Sequence, residues 1–418
     1  ANLGDLLQGG SRIQAAWPAE DQLLAFSQRI ELQRALTRLG YDVGKADGRI
    51  GSRTREALRD FQERAGLRPD GYPNRRVLEA LDGLPLDITL HDNTSGIAAM
   101  LTGGKPGPTV LLRADMDALP MPEDTGLDFK SNVENAMHAC GHDTHTSMLM
   151  GAARILSSRQ ADIPGRVLFM FQPGEEGYNG ASEMLAEGLL DVGTDSPVTG
   201  AFAIHAASNI PGGFLGLKPG TIMASSDTMT ITVKGRGGHA SAPHFTMDPV
   251  PVACEIVQAL QTLVTRRIDV FDPGVITVTQ IHTGTTSNVI PETAMINGTM
   301  RAVSERTRTL IHDGIRRVAE GIGAAHGMDV DVQLNLGYDV TVNDAEFASF
   351  AADVATAVSG DRNVRMMENP VMGAEDFSYV LQQRPGAMIF LGERLRPRQW
   401  VGVVLVIVAV TAIAGLGG

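Results

Sequence analysis

The amino-acid sequence predicts an α/β domain with a mostly parallel sheet, interrupted by an α+β insertion and preceded by a small three-helix domain. From about residue 85, short apolar runs alternate with segments of helical length and spacing, as in parallel sheets covered by helices. This alternation breaks near residue 225, where a different series of strands and long helices begins. Residues 27–84 carry three short helical patterns separated by turn signals.

The three-helix domain is predicted at 27–84 and follows a linker, or a remnant of a preceding domain, at 1–26. Its first helix stops at Gly40, and Ser52 and Asn74 are candidate N-caps of the other two. The stretch L-Q-R-A-L-T-R-L-G-Y-D-V-G-K-A-D-G-R-I-G-S-R-T-R-E-A-L-R-D-F-Q resembles the peptidoglycan-binding domain at the ends of cell-wall lytic enzymes such as lytic transglycosylases. The resemblance implies peptidoglycan as a partner, and an unrelated three-helix spacer is the alternative.

The elements of the larger domain follow in order. Strands are predicted at 109–113, 166–171, 200–204 and 387–392, and helices at 144–158 and 179–190. The insertion is predicted to hold strands at 229–235, 275–281 and 294–301 and helices near 248–266 and 304–326. These patterns divide the chain into one domain at 85–224 and 341–393, an inserted domain at 225–340, and an apolar tail at 394–418.

Composition limits the classes of partner. The chain has 48 Asp and Glu against 35 Lys and Arg, a net charge of −13, which repels polyanions and excludes nucleic acid as an expected partner. Only two cysteines are present, Cys140 and Cys254, so no disulfide framework is predicted.

The segment M-H-A-C-G-H-D-T-H-T, at 137–146, is the strongest candidate for a metal site. Cys140 and His142 are two positions apart in a loop ahead of a helix, and thiolate with neutral imidazole suits a borderline ion such as Zn²⁺. His138 and His145 are instead candidates for support of the ligands or for helix capping.

Acidic and imidazole side chains also follow the neighbouring predicted strands. Asp115 and Asp117 end the first, Glu175 and Glu176 follow the second, and His205 ends the third. Carboxyl ends of parallel strands meet at one edge of a sheet, where ligands gather. There one carboxylate can bind a metal while its neighbour takes a proton from water.

Six motifs, in this order along the chain, resemble those of the metal-dependent amidohydrolases that include hippurate hydrolase, N-acyl-amino-acid hydrolases and plant auxin-conjugate hydrolases. They are R-A-D-M-D-A-L-P, M-H-A-C-G-H-D-T-H-T, Q-P-G-E-E-G, G-R-G-G-H-A-S-A-P-H, N-V-I-P-E-T and M-G-A-E-D-F, and they span about residues 85–393. The resemblance implies a metallohydrolase domain with a two-metal site (Zn, Mn, Co or Ni) and an inserted lid or dimerisation domain. It also implies homodimers and hydrolysis of N-acyl amino acids or related peptide amides.

The resemblance also assigns roles to residues. The implied metal ligands are Cys140, His142, Glu176 and His205. Glu175 is the implied general acid/base, which takes a proton from water and passes it to the leaving nitrogen, and Asp117 steadies the ligands. His239 is the implied oxyanion-stabilising residue, supplied to the site of a partner subunit. Asn288 and Arg301 are candidates for contacts with substrate, although each could equally be structural.

Two departures from this family pattern affect the expected activity. The family's own first helical segment, with an H-x-H-P-E-type motif, is replaced here by the peptidoglycan-binding unit. The histidine that follows the last sheet strand in the family has no counterpart, because the last of the ten histidines is His326. We therefore expect weaker binding of at least one ion, fewer than two ions per chain and impaired activity. The alternative is a peptidoglycan-binding cell-wall protein with an inactive hydrolase scaffold.

The tail leaves the location open. Residues 400–416 carry no charge and follow R-L-R-P-R, as in a membrane anchor, but as a helix they reach only about 26 Å against a hydrocarbon core of about 30 Å. A buried element at the end of a domain is the alternative. The hydrolase resemblance favours the cytoplasm, whereas the peptidoglycan-binding unit and the tail favour the cell envelope.

Overall fold

The computed structural model describes residues 84–392, apart from 92, 128–129 and 192–195, together with a few positions between 33 and 57. The segment 1–26, nearly all of the predicted domain at 27–84 and the tail 394–418 lie outside these residues. Within the described part of the chain, every helix is too short or too polar to cross a membrane.

The described chain contains sixteen strands and six α-helices. The strands are β1 Asp87–Leu90, β2 Ile97–Thr102, β3 Lys105–Asp115, β4 Pro164–Gln172, β5 Val198–Ala207, β6 Leu215–Leu217, β7 Gly220–Met223, β8 Asp227–Lys234, β9 Gly238–His239, β10 Gly274–Thr283, β11 Val289–Ile290, β12 Thr293–Ala302, β13 Asp329–Leu336, β14 Thr341–Asn343, β15 Val364–Met366 and β16 Gly386–Gly392. The helices are α1 His142–Ser158, α2 Gly180–Ala186, α3 Pro249–Arg267, α4 Glu305–Ala325, α5 Ala345–Ser359 and α6 Ser378–Gln383.

The main sheet has the strand order β1-β2-β4-β3-β5-β16-β6-β15. Its central strands β4, β3, β5 and β16 are parallel, so their carboxyl ends share one edge, while antiparallel pairs lie toward both sides. The predicted α/β class with a mostly parallel sheet is confirmed. The predicted helix at 179–190 is wrong in its second half, because α2 ends at Ala186 and Gly188 turns the chain with φ 82°.

Alternating side chains of the central strands build a core on each face of this sheet. In β3, Val110 and Leu112 pack on the side of α1 and α5, whereas Leu111 packs on the side of α2 and α6. All three are buried, as expected for parallel strands covered by helices on both faces. The sheet is therefore a rigid base for the loops at its carboxyl edge.

The chain leaves the sheet at β8 to form a second, antiparallel sheet of order β10-β12-β8-β13. Met229, Ile231 and Val233 of β8 are buried against α3 and α4, and the threonines between them face the other way. Asp248 caps α3 and Ser304 caps α4 with side-chain oxygens that accept backbone N–H bonds, so both helices begin where the sequence provides a cap.

A buried ion-pair network lies where the chain enters and leaves this insertion. Arg308 of α4 donates two hydrogen bonds to Asp227, of 2.6 and 2.8 Å, and a third to Asp339. The Gly337 N–H, just after β13, and His312 Nε2 also bond the Asp227 carboxylate. One carboxylate therefore holds together the first strand, the second helix and the exit of the insertion.

The pKa of Asp227 reflects this network. Burial alone would raise the pKa, but the hydrogen bonds from Arg308, His312 and Gly337 hold it well below its ordinary value. Since the pKa in the folded state lies below that in the unfolded state, ionised Asp227 stabilises the fold above about pH 4. That contribution is lost progressively as the pH falls below this value.

Replacing Asp227 with asparagine (D227N) should lower the free energy of unfolding at pH 7 by about 3 kcal/mol. This is the low end of the range for breaking a buried ion pair, because Arg308 still pairs with Asp339 in the variant. The stability of the variant should also fall less steeply than that of the wild type below about pH 5. Urea unfolding measures both effects. E255Q, which removes the exposed pair of Glu255 with His326, is the control and should change stability by less than about 0.5 kcal/mol. Equal losses for the two variants would contradict the prediction.

Candidate metal centre

Loops at the carboxyl edge of the parallel strands bring the acidic and imidazole side chains together. β3 ends at Asp115, β4 ends just before Glu175, and β5 carries His205 near its end. The turn before α1 depends on Gly141, whose φ is 82° and whose missing Cβ would lie 3.1 Å from the Ala206 Cβ. This close approach places Cys140 against β5.

His142 is buried in the middle of the cluster, and neither of its ring nitrogens has a hydrogen-bond partner. Its Nδ1 lies 3.3 Å from Asp117 Oδ1, and its Nε2 lies 3.6 Å from Asp115 Oδ2 and 3.9 Å from Glu175 Oε2. Burial alone would lower the pKa of His142, but the two aspartates overcome this effect and raise it to about 12. An imidazole surrounded by carboxylates thus needs a positive charge, either its own proton or a metal ion.

Cys140 and His205 face each other across the cluster. His205 Nδ1 lies 2.6 Å from the Ala206 carbonyl oxygen and must donate to it, which leaves the lone pair on Nε2, 3.5 Å from Cys140 Sγ. Burial lowers the pKa of His205, so the ring favours the neutral, metal-binding form. Burial raises the pKa of the Cys140 thiol, whose proton would leave when a metal binds.

His145 uses both of its ring nitrogens within the protein. Nδ1 lies 2.5 Å from Asp115 Oδ1, and Nε2 accepts the Ala206 N–H at 2.7 Å. It therefore supports the backbone beside His205 and has no lone pair left for a metal. Neither His145 nor the exposed His138 caps α1, because the N-cap position is Gly141.

The loop that carries Glu175 and Glu176 is held from two sides. Asp117 accepts both of their backbone N–H groups, at 3.1 and 2.9 Å. Opposite, the Tyr338 hydroxyl donates to the Glu175 carbonyl oxygen and accepts the Gly177 N–H at 2.6 Å. Burial and nearby carboxylates raise the pKa of Tyr338, so its hydroxyl keeps the proton that it donates. This tyrosine was not identified from the sequence, because it lies in the segment that returns from the insertion, between β13 and β14.

Arg113 brings a permanent positive charge into the acidic cluster. Its guanidinium donates to Asp115 Oδ2 and Glu375 Oε1, both at 2.6 Å, and to Gln172 Oε1 at 2.8 Å. Gln172 in turn donates to Asp376 at 2.6 Å. The sequence offered two signals for these residues: an arginine within a buried apolar run, and the adjacent acids of M-G-A-E-D-F.

Negative charge exceeds positive charge at this centre. The carboxylates are Asp115, Asp117, Glu175, Glu176, Glu375 and Asp376. Burial and the charges of Glu375 and Asp376 raise the pKa of Glu175 well above its ordinary value, and burial raises that of Glu176. Such an excess of buried acid requires protons or cations.

The donor atoms fit divalent metal ions. Groups of ligand atoms that lie within 4.8 Å of one another include Cys140 with His142 and His205, and His142 with Glu175 and Glu176. Sulfur, imidazole and carboxylate donors of this kind suit Zn²⁺ and its neighbours in the first transition row. The unpartnered nitrogens of His142 are accounted for if one of them binds an ion.

Three residues with roles implied by the sequence lie on the insertion. His239 of β9 is exposed and bonds Ser241, and Asn288 is next to it, because its carbonyl oxygen accepts the Ala240 N–H. Arg301, half-buried at the end of β12, donates to Ser226 and Thr299. Among the described residues, His239 belongs to no group of candidate metal ligands.

Comparison with known proteins identifies two regions of the chain. Residues 111–399 match Peptidase family M20/M25/M40, and residues 27–81 match a peptidoglycan-binding domain. The chain is 41% identical over 303 residues to thermostable carboxypeptidase 1 of Saccharolobus solfataricus, an alignment that covers 72% of this chain and 75% of the relative. It is 38% identical over 318 residues to hippurate hydrolase of Campylobacter jejuni, covering 75% and 81% respectively.

The fold matches solved structures as well. The Bacillus subtilis protein YXEP, described as a dinuclear metal-binding peptidase of the M20 family, superposes with a TM-score of 0.66 at 28% identity. The match covers 91% of this chain and 99% of that one. Together with the matched region, these similarities show that the chain belongs to Peptidase family M20/M25/M40.

Proposed function

We propose that this hydrolase uses two divalent metal ions to cleave the amide bond of N-acyl amino acids or related peptide amides. The observation that carries the proposal is the position of Glu175, a buried carboxylate whose pKa is raised and which lies beside the unpartnered ring of His142. A carboxylate whose pKa is raised can act as a general base and then as a general acid. The hippurate hydrolase relative supports this class of substrate.

Each residue of the centre has a role in this proposal. Cys140, His142, Glu176 and His205 hold the ions, which when bound supply Lewis acidity that lowers the pKa of water and polarises a carbonyl group. Glu175 takes a proton from the attacking water and delivers it to the leaving nitrogen. Asp117 fixes the backbone of Glu175 and Glu176 through its two accepted hydrogen bonds.

The insertion supplies the remaining roles. We assign His239 to stabilisation of the oxyanion, and Asn288 and Arg301 to substrate, where a guanidinium can hold a carboxylate through two hydrogen bonds. His239 is exposed and outside the cluster of its own chain, which favours its use in the site of a partner subunit. β10 is an edge strand with exposed Val275 and Ile281, so the homodimer is proposed to form through the insertion.

The first test is hydrolysis of hippurate and N-acetyl amino acids with added Zn²⁺, Mn²⁺ or Co²⁺. Activity should be abolished by a chelator and restored by the metal. E175Q should lower kcat by about 100-fold or more while metal content stays unchanged, since this carboxylate moves protons. E183Q, an exposed acid on α2, is the control and should retain activity. Failure of all these substrates with every metal would refute the proposal.

A second test concerns Tyr338. Y338F removes the hydroxyl that holds the Glu175–Gly177 turn, so kcat should fall about tenfold or more with little change in KM. Hydrogen exchange at 175–177 should become faster. Y379F is the matched control, since the Tyr379 hydroxyl bonds Asn179 and Gly337 through 3.3 Å contacts but does not touch this turn. Equal effects of the two variants would contradict a specific role of Tyr338.

A second candidate function is binding to cell wall. The match of residues 27–81 to a peptidoglycan-binding domain favours it. The hydrolase would then work at the cell envelope or, in the rival form of this proposal, serve as an inactive scaffold. The domain bears on location more than on the reaction.

Sedimentation with purified peptidoglycan tests this candidate. The full chain and E175Q should both pellet with the cell wall, whereas a chain lacking 27–84 should remain in solution and keep its hydrolase activity. Pelleting of the shortened chain would refute the assignment of wall binding to this segment. Loss of pelleting without any amide hydrolysis in either chain would favour the scaffold.

A further inference from the structure

Glu375 is a buried acid with one unsatisfied oxygen. Its residue is 0% exposed, and its Oε1 accepts hydrogen bonds from Arg113 at 2.6 Å and from the Phe377 N–H at 3.2 Å. Its Oε2 has no hydrogen-bond partner. A buried carboxylate oxygen without a partner is costly, so a positive group is expected beside it.

The position of Glu375 indicates that this positive group is a metal ion. Ligand atoms of Asp115, His205 and Glu375 lie within 4.8 Å of one another, a spacing that one ion can bridge. Both oxygens of Asp115 already have close partners, Oδ1 with His145 at 2.5 Å and Oδ2 with Arg113 at 2.6 Å. Glu375 is therefore the acid of this group with an oxygen still available.

A metal ion bound by His205 would need further protein ligands. Its Nε2 lone pair lies 3.5 Å from Cys140 Sγ, whose thiol proton would leave when a metal binds. Cys140, His142 and His205 belong to one group of ligand atoms, and His142 also belongs to a second group with Glu175 and Glu176. Two metal positions can thus share Cys140, one on the side of His142 and one on the side of His205.

We propose that Glu375 is a ligand of the ion at the His205 position, through its Oε2. The inference rests on the proposed two-metal function and adds a ligand outside the four that sequence similarity implies. It also revises the expectation that one ligand is lacking, since a carboxylate oxygen supplies it. Arg113 contributes by holding Oε1, so that Oε2 is fixed in place before an ion arrives.

The experiment counts metal ions. Metal-free full-length protein is dialysed against micromolar Zn²⁺ or Co²⁺, and bound metal is measured by elemental analysis. The wild type should hold two ions per chain and E375Q one. With Co²⁺, the thiolate-to-metal absorption of Cys140 should persist in E375Q, because the His142 position keeps its ligands.

D376N is the matched control. Asp376 is the neighbouring buried acid, but its Oδ1 accepts from Gln172 at 2.6 Å and its Oδ2 from the Ala181 N–H at 2.9 Å, so both oxygens are occupied within the protein. This variant replaces a neighbouring acid of the same cluster by its amide and should still bind two ions. If E375Q does not fold, E375D replaces it: it keeps a charge for Arg113 but shortens the side chain, and should weaken the second ion by more than about tenfold.

The possible outcomes test the role of Glu375 as a metal ligand separately from the proposed amide hydrolysis. Two ions in E375Q with wild-type affinity, loss of the second ion in both E375Q and D376N, or a single ion in the wild type would each overturn the role of Glu375. A loss confined to E375Q would support it. If that loss is seen but no amide is hydrolysed, the metal position stands and the proposed function fails.

Discussion

The fork of hydrogen bonds from Arg113 is the interaction on which the arrangement of the centre depends. It joins the end of β3, through Asp115, to the end of β4, through Gln172, and to the segment before α6, through Glu375. Three parts of the chain that are far apart in sequence are thereby fixed at one edge of the sheet. Since Arg113 neutralises only part of the surrounding acid, the same interaction that orders the site leaves a net attraction for cations.

The three histidines of the centre differ in function because of their hydrogen bonds. Both ring nitrogens of His145 form hydrogen bonds, one with Asp115 and one with the Ala206 N–H. His205 bonds a backbone carbonyl oxygen through Nδ1, whereas neither nitrogen of His142 has a hydrogen-bond partner. The centre therefore combines ligands and their supports within a single short motif.

Sequence patterns were sufficient to predict the α/β class and its mostly parallel sheet, because periodicity and strand ends are local properties. They did not identify Arg113 and Glu375 as partners, since that contact joins positions 262 residues apart. For His239 the opposite holds. Its motif is recognisable in the sequence, but the fold of one chain leaves it exposed and outside the cluster. Pairings across the fold and between subunits are set by tertiary packing, which no short window of sequence contains.

The short segment that returns from the insertion connects two kinds of contact. Gly337 and Asp339 bond the Asp227–Arg308 network, and Tyr338, between them, bonds the turn that carries Glu175. A swing of the insertion about this junction would therefore pull directly on the peptide of the proposed proton carrier. The placement of the insertion and the alignment of Glu175 are therefore mechanically coupled through three consecutive residues.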